Sequence, residues 1–132
     1  MNGTLDLKDI LVNMNPVLKE EEYVFCSFPS LSSEASHHLN PISTFQEDEG
    51  LSLIITRNVA DINGISYDSV FKRITIQLHT SLDAVGLTSL LSTDLAGKGI
   101  SANVVAAYYH DHIFVPSEKA EVALGTIKAL KC

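Results

Sequence analysis

The chain has 132 residues, 45 % apolar and 19 % charged, with 16 acidic against 9 basic residues and a formal charge of −7. That balance suits one globular domain or two very small ones. It excludes an apolar helical membrane span, which needs about 18 consecutive apolar residues, and without a lysine or arginine stripe it argues against nucleic acid as a direct partner.

The opening stretch MNGTLDLKDILVNM lacks the basic start and continuous apolar core of a signal peptide, so a cytoplasmic location is expected. Within it Leu5, Leu7, Ile10, Leu11 and Met14 share one face of a short predicted helix over 5–14. Asn15-Pro16 stops that helix. KEEE then reads as a solvated acidic patch leading into an apolar strand, Tyr23 to Phe28. Cys26 lies in that strand and Cys132 is distant in sequence. Neither has metal spacing, so both read as free thiols in a reducing compartment, Cys26 as a small buried hydrophobe rather than a nucleophile.

Residues 30–41 are polar and loop-like. The two β-rich runs of ISTFQEDEGLSLIITR flank EDEG, a hairpin signal in which Gly50 supplies a positive φ. Asn58 is the expected N-cap of a short helix that Gly64 ends. Next, Ile74, Ile76 and Leu78 alternate with Arg73, Thr75, Gln77 and His79, the period of a strand with one buried face.

Thr80 and Asp83 match a capping box. Leu87, Leu90, Leu91 and Leu95 form one helical face, and Gly97 and Gly99 end that helix. ISANVVAAYY reads as a strand, HD as a turn and HIFVP as the return strand. Ser117 is the expected cap of a last helix with Ala120, Leu124 and Ile127 on its inner stripe.

Residues 71–131 therefore spell most of a ferredoxin-like βαββαβ unit, an α+β architecture with an antiparallel sheet and helices on one face. The last strand is missing, and an open edge is a liability, so a strand from elsewhere is expected to fill it. The first half also has a strand, a hairpin and a following short helix. The chain thus reads as a degenerate internal repeat whose halves share or exchange edge strands.

HTSLDAVGLTSLLSTDLAGKGISANVVAAYYHDHIFVP resembles an ACT domain, and is most similar to the ACT modules of aspartokinases. The pattern is a strand, a polar loop leading to Val85-Gly86-Leu87, then Gly99-Ile100 and Asn103-Val104 opening the second strand. With EYVFCSFP and the NPISTF hairpin, the whole chain is similar to small stand-alone bacterial proteins of two tandem ACT-like halves. The resemblance implies a degenerate ACT-like half at 1–66, which lacks the long first helix and the glycine-bearing loop, and an ACT domain at 67–132. No kinase segment exists, so kinase activity is not implied.

The resemblance further implies a small-molecule ligand, an amino acid, held between two ACT units. The loop would contribute His79, Ser81, Leu82, Asp83, Val85, Gly86 and Leu87, and the facing strand Ile100, Ala102, Asn103 and Val104. Physical chemistry offers the same stretch as a ligand site: a helix start presents free N–H groups to a carboxylate, glycine permits close approach, and asparagine both donates and accepts. Asp83 would repel a carboxylate unless it faces away or pairs with an ammonium. Against these stand plainer roles: Thr80 and Ser81 as caps, Gly86 as a packing residue, Asn103 as an edge residue.

His110 and His112, two apart, would share a strand face. A zinc site needs three or four ligands, and His37-His38 lies in a distant loop. A polar turn with Asp111 at its tip is the simpler reading, and no nucleophile completes a triad. The expectation is a non-catalytic, homo-oligomeric regulatory protein without cofactor or metal. The competing reading is a ligand-free protein–protein interaction or dimerisation module.

Overall fold

The computed structural model describes residues 11, 13–31, 34–77 and 86–130. In chain order the elements are β1 (Pro16–Phe28), a 3-10 helix η1 (Glu34–Leu39), β2 (Ser43–Glu47), β3 (Gly50–Thr56) and α1 (Arg57–Ile62). They continue with β4 (Phe71–Ile76), α2 (Leu87–Gly97), β5 (Asn103–Ala106), β6 (Asp111–Pro116), a 3-10 turn η2 (Ser117–Lys119) and α3 (Ala120–Ala129). They group into two compact units. One takes the described residues up to Glu20 and from Lys72 onward; the other is Glu21–Phe71. This is a grouping in space, and it interleaves in the chain, whereas 1–66 and 67–132 divide the sequence.

In the first unit the strand order is β1-β4-β6-β5. The β4-α2-β5-β6-α3 run is the ferredoxin-like half read from the sequence. Its missing fourth strand is supplied by the opening residues of β1, which lie beside β4. Asn15, just before β1, accepts at its carbonyl from the backbone N–H of Gln77, just after β4, at 2.9 Å. The start of one strand therefore meets the end of the other, and the pair runs antiparallel.

Strand alternation fixes which side is buried. Ile74 and Ile76 of β4 and Ile113 and Val115 of β6 meet Leu87, Leu91 and Leu95 of α2 and Ala120, Ala123 and Ile127 of α3 in one core. Leu90 and Leu124 of the predicted stripes sit only half-buried. Each fully buried aliphatic side chain contributes roughly 1.5–3 kcal/mol. Gly99, at φ 73°, turns the chain out of α2 and lets Ile100 N–H bond Leu95 O at 3.0 Å.

In the second unit the order is β2-β3-β1, antiparallel, with Tyr23 opposite Thr56 and Phe28 opposite Leu51. Val24, Leu51, Leu53 and Ile55 bury one face against Leu39 of η1 and Ala60 of α1. The β2–β3 hairpin turns at Asp48-Glu49, with Glu47 opposite Gly50. Gly50 has φ 151°, and a Cβ there would lie 2.6 Å from Phe28 O.

Several expectations are corrected. The acidic patch is not a lead-in but part of β1, which begins at Pro16; strand pairing overrides local polarity. The loop over 30–41 contains η1, with Ser36 and Leu39 buried. The cap of α1 is Thr56, whose hydroxyl accepts from Val59 N–H at 3.2 Å, rather than Asn58. The N-cap of α2 is Gly86 rather than Thr80; Thr80 and Asp83 lie outside the described residues. Ser117 opens η2, and Lys119 is the N-cap of α3. Of the predicted 5–14 helix, Leu11 and Asn13 are helical and Met14 is buried; the rest lies outside the described residues.

Candidate ligand site

The stretch singled out for a ligand is built by the start of α2 and the approach to β5. Gly86 sits at φ 100°, ψ −27°, a left-handed geometry that suits a residue without a Cβ. It offers no side chain, and no side-chain bond caps α2 there. The first turn of an α-helix has no intrahelical partner for its N–H groups, so this end presents backbone donors and a partial positive charge.

Leu87 and Ile100 are buried, 2 % and 3 % exposed, and belong to the core under α2. Ala102 and Val104 pack partly buried against the same cluster. What Leu87 and Ile100 have left for a ligand is backbone, not side chain. Asn103 is exposed and opposes Phe114; its Nδ2 donates to Phe114 O at a long 3.4 Å. Packing thus brings Leu87, Ile100, Ala102 and Val104 together. His79, Ser81, Leu82, Asp83 and Val85 lie outside the described residues. Lys119, which sequence reasoning missed, donates to Gly99 O at 2.9 Å and so pins the turn that carries the chain from α2 to Ile100.

The histidine hairpin turns elsewhere than expected. Val105 opposes His112, Ala106 opposes Asp111, and Ala107 N–H bonds His110 O at 3.1 Å. The tip is therefore Tyr108-Tyr109, both largely exposed, and not His110-Asp111. The register follows from Ile113 and Val115, which must face the core; a shift of one residue would turn both outward. The rings of His110 and His112 stand 6.5 Å apart, and His112 Nδ1 lies 3.1 Å from the hydroxyl of Thr75. Burial pushes the His112 imidazole below its ordinary range, and Arg73, His110 and Lys19 push it further the same way. Burial raises the Asp111 carboxyl, partly offset by His110. Among the described residues no three His, Cys, Asp or Glu side chains group as metal ligands would.

A second polar cluster escaped sequence reasoning. Arg57 donates from Nη1 to Glu22 Oε1 at 3.0 Å and from Nε to Tyr67 OH at 3.1 Å, and Tyr67 OH donates to Asp61 Oδ1 at 2.8 Å. These bonds hold α1 to the strand and loop around it. Cys26 is partly buried, and burial raises its thiol, which keeps it a poor nucleophile. No helix among the described residues is long and apolar enough to cross a membrane.

The family description "ACT domain" matches twice in tandem, over residues 2–72 and over residues 67–129. A protein of unknown function from Vibrio cholerae, a possible transport protein, is 42 % identical over 96 % of each chain, with a TM-score of 0.88. The ligand-free regulatory subunit of aspartate kinase from Thermus thermophilus shares the fold, with TM-score 0.63 and 11 % identity over 91 % of this chain and 98 % of that one. A putative C-terminal regulatory domain of aspartate kinase from Porphyromonas gingivalis W83 is similar too, with TM-score 0.58 and 18 % identity over 89 % and 96 %. No curated protein matches the chain.

Proposed function

The chain belongs to the ACT-domain family, and on that premise we propose that it is a non-catalytic regulatory protein that binds a small molecule, an amino acid, between ACT units. The tandem division into 1–66 and 67–132, the cytoplasmic location and assembly into a homo-oligomer belong to the same proposal. One observation carries it: α2 begins at a left-handed Gly86 with no side-chain cap, so its first amides are donors suited to a carboxylate. Exposed Asn103, three residues after buried Ile100, offers an amide for the ligand's other end. Ligand would favour whichever arrangement of units it binds best.

The test is calorimetry and thermal shift across the amino acids. A ligand at about 100 times its Kd stabilises by about 2.7 kcal/mol. Asn103→Ala, removing about 1.4 kcal/mol of hydrogen bonding, weakens binding about tenfold. A folded wild-type protein that responds to no amino acid defeats the reading.

One feature favours the interaction-module alternative. Edge strand β2 carries Phe45, 71 % exposed, beside Ile42, 42 % exposed. Such a module would show concentration-dependent sedimentation, lost in Phe45→Ser, and no ligand response.

A further inference from the structure

Among the described residues, the segment that completes the first unit's sheet is partnered on one side only. β3 pairs with β1 from Tyr23 to Phe28 and no further, so residues 16–20 have β4 beside them and no strand on the other side. Asn15 accepts at its carbonyl from Gln77 N–H at 2.9 Å, and backbone groups alternate in direction along an antiparallel strand. Val17 and Lys19 therefore turn their N–H and C=O groups to β4, and Leu18 and Glu20 turn theirs outward. Pro16, which has no N–H to leave unmet, sits on the same outward side, where an edge strand tolerates proline.

A cavity of about 470 Å³ runs along this edge. Consecutive residues of β1, from Pro16 to Glu20, line it, as they can only beside the strand and not above one of its faces. Glu121, Leu124 and Lys128 form the far wall; spaced by three and four, they share one stripe of α3. Leu18 and Leu124, midway along strand and stripe, both pack against the core. Around the space stand Lys19, Lys72 and Lys128 with Glu20 and Glu121. Among the described residues, none of Glu20, Lys72, Glu121 and Lys128 is held in an ion pair. An acidic partner would meet the glutamates here, and a basic one the lysines. A second copy of the same groove offers each sign to its opposite.

We propose that this edge pairs antiparallel with the same edge of a second copy, two-fold about Leu18. In such an isologous contact every pairing occurs twice. Leu18 of each copy exchanges N–H and C=O bonds with Leu18 of the other. Glu20 N–H donates to the Pro16 carbonyl across the joint, so the donor that proline lacks falls at the end of the pairing. The two-fold also sets the two α3 stripes antiparallel, with Glu121 of each facing Lys128 of the other. The proposal rests on the homo-oligomer of the proposed function, whose contact it names, and it needs no amino acid.

The test is sedimentation velocity over a dilution series, with amide hydrogen exchange followed on the same samples. The wild type should dimerise. The Leu18 and Glu20 amides should be protected in the dimer and exchange freely on dilution, while those of Val17 and Lys19 stay protected throughout. Glu20→Pro removes an outward donor and spares the bonds to β4. It should weaken the dimer roughly ten- to a hundredfold, since the bond is lost on both sides of the two-fold, while Glu20→Gln retains it. Glu121→Lys, at an exposed position of α3, should also weaken the dimer, and adding Lys128→Glu should restore it. A wild type that stays monomeric at every concentration overturns this contact and the homo-oligomer together. A dimer that forms equally well in folded Glu20→Pro, or a charge swap that fails to restore it, overturns this contact and leaves the homo-oligomer standing.

Discussion

Thr75 and His112 meet across β4 and β6, the hydroxyl 3.1 Å from Nδ1 of the ring, in a sheet where Thr75 is only 3 % exposed. The pairing ties a titrating group to a buried strand. Burial, and after it Arg73, His110 and Lys19, hold the folded imidazole below its ordinary value. The unfolded ring therefore takes up a proton first as pH falls. Stability is full above the ordinary histidine range, about 6.5, falls as pH drops through it, and levels off below the folded value. Asp111 acts oppositely. Its folded carboxyl is raised by burial, so it favours the fold below the ordinary carboxylate range and loses that contribution as pH rises through the folded value. Denaturation midpoints measured from pH 8 down to 5 should fall on acidification in the wild type and flatten in His112→Asn.

Two glycines should respond with opposite sign. Gly50→Ala places a methyl 2.6 Å from Phe28 O and 2.8 Å from the Pro29 Cα at a φ of 151°, and should destabilise by about 1–3 kcal/mol. Gly125 lies within α3 with open space around it. Gly125→Ala should stabilise by roughly 0.5–1 kcal/mol. Urea titrations of both variants check the pair.

The start of α1 separates two neighbouring polar residues. Thr56→Ala removes the hydroxyl that accepts from Val59 N–H and should cost about 0.5–2 kcal/mol. Asn58→Ala, at an exposed position, should stay within about 0.5 kcal/mol of wild type. Equal losses in the two variants by thermal denaturation would refute the assignment.

Leu95 is fully buried where α2 meets the sheet. Leu95→Ala should cost about 2–5 kcal/mol through lost burial and the cavity left behind. Chemical denaturation reads the loss directly, with circular dichroism confirming that the variant still folds.

The βαββαβ order of the second half could be read from its sequence because Ile74, Ile76, Ile113 and Val115 keep a period of two and Leu87, Leu91 and Leu95 a period near four. Those patterns report burial, and burial makes the fold. What escaped was decided by partners distant in the chain. Lys19 to Glu22 look solvated because nothing nearby in sequence says that β4 waits beside the start of β1. His110-Asp111 look like a turn because their chemistry suits one, yet the core positions of Ile113 and Val115 outrank turn preference and move the tip to two tyrosines. Asn58 and Thr56 are both good caps, and only the end of β3 chooses between them. For the ligand site, Gly86 stands out in the sequence by its type, and its left-handed backbone gives the reason. The burial of Leu87 and Ile100 follows from their packing and shifts any contact there to their amides.

Because Pro16–Glu20 walls the first compact unit while lying far from the rest of it in the chain, that unit could not be cut out as one continuous piece, whereas Glu21–Phe71 could. A fragment from residue 67 onward would have to find a substitute for Pro16–Glu20, and a peptide of that sequence added in trans is the natural replacement. The loan runs one way: losing the opening residues would bare the edge of β4, an invitation to pair with a second chain.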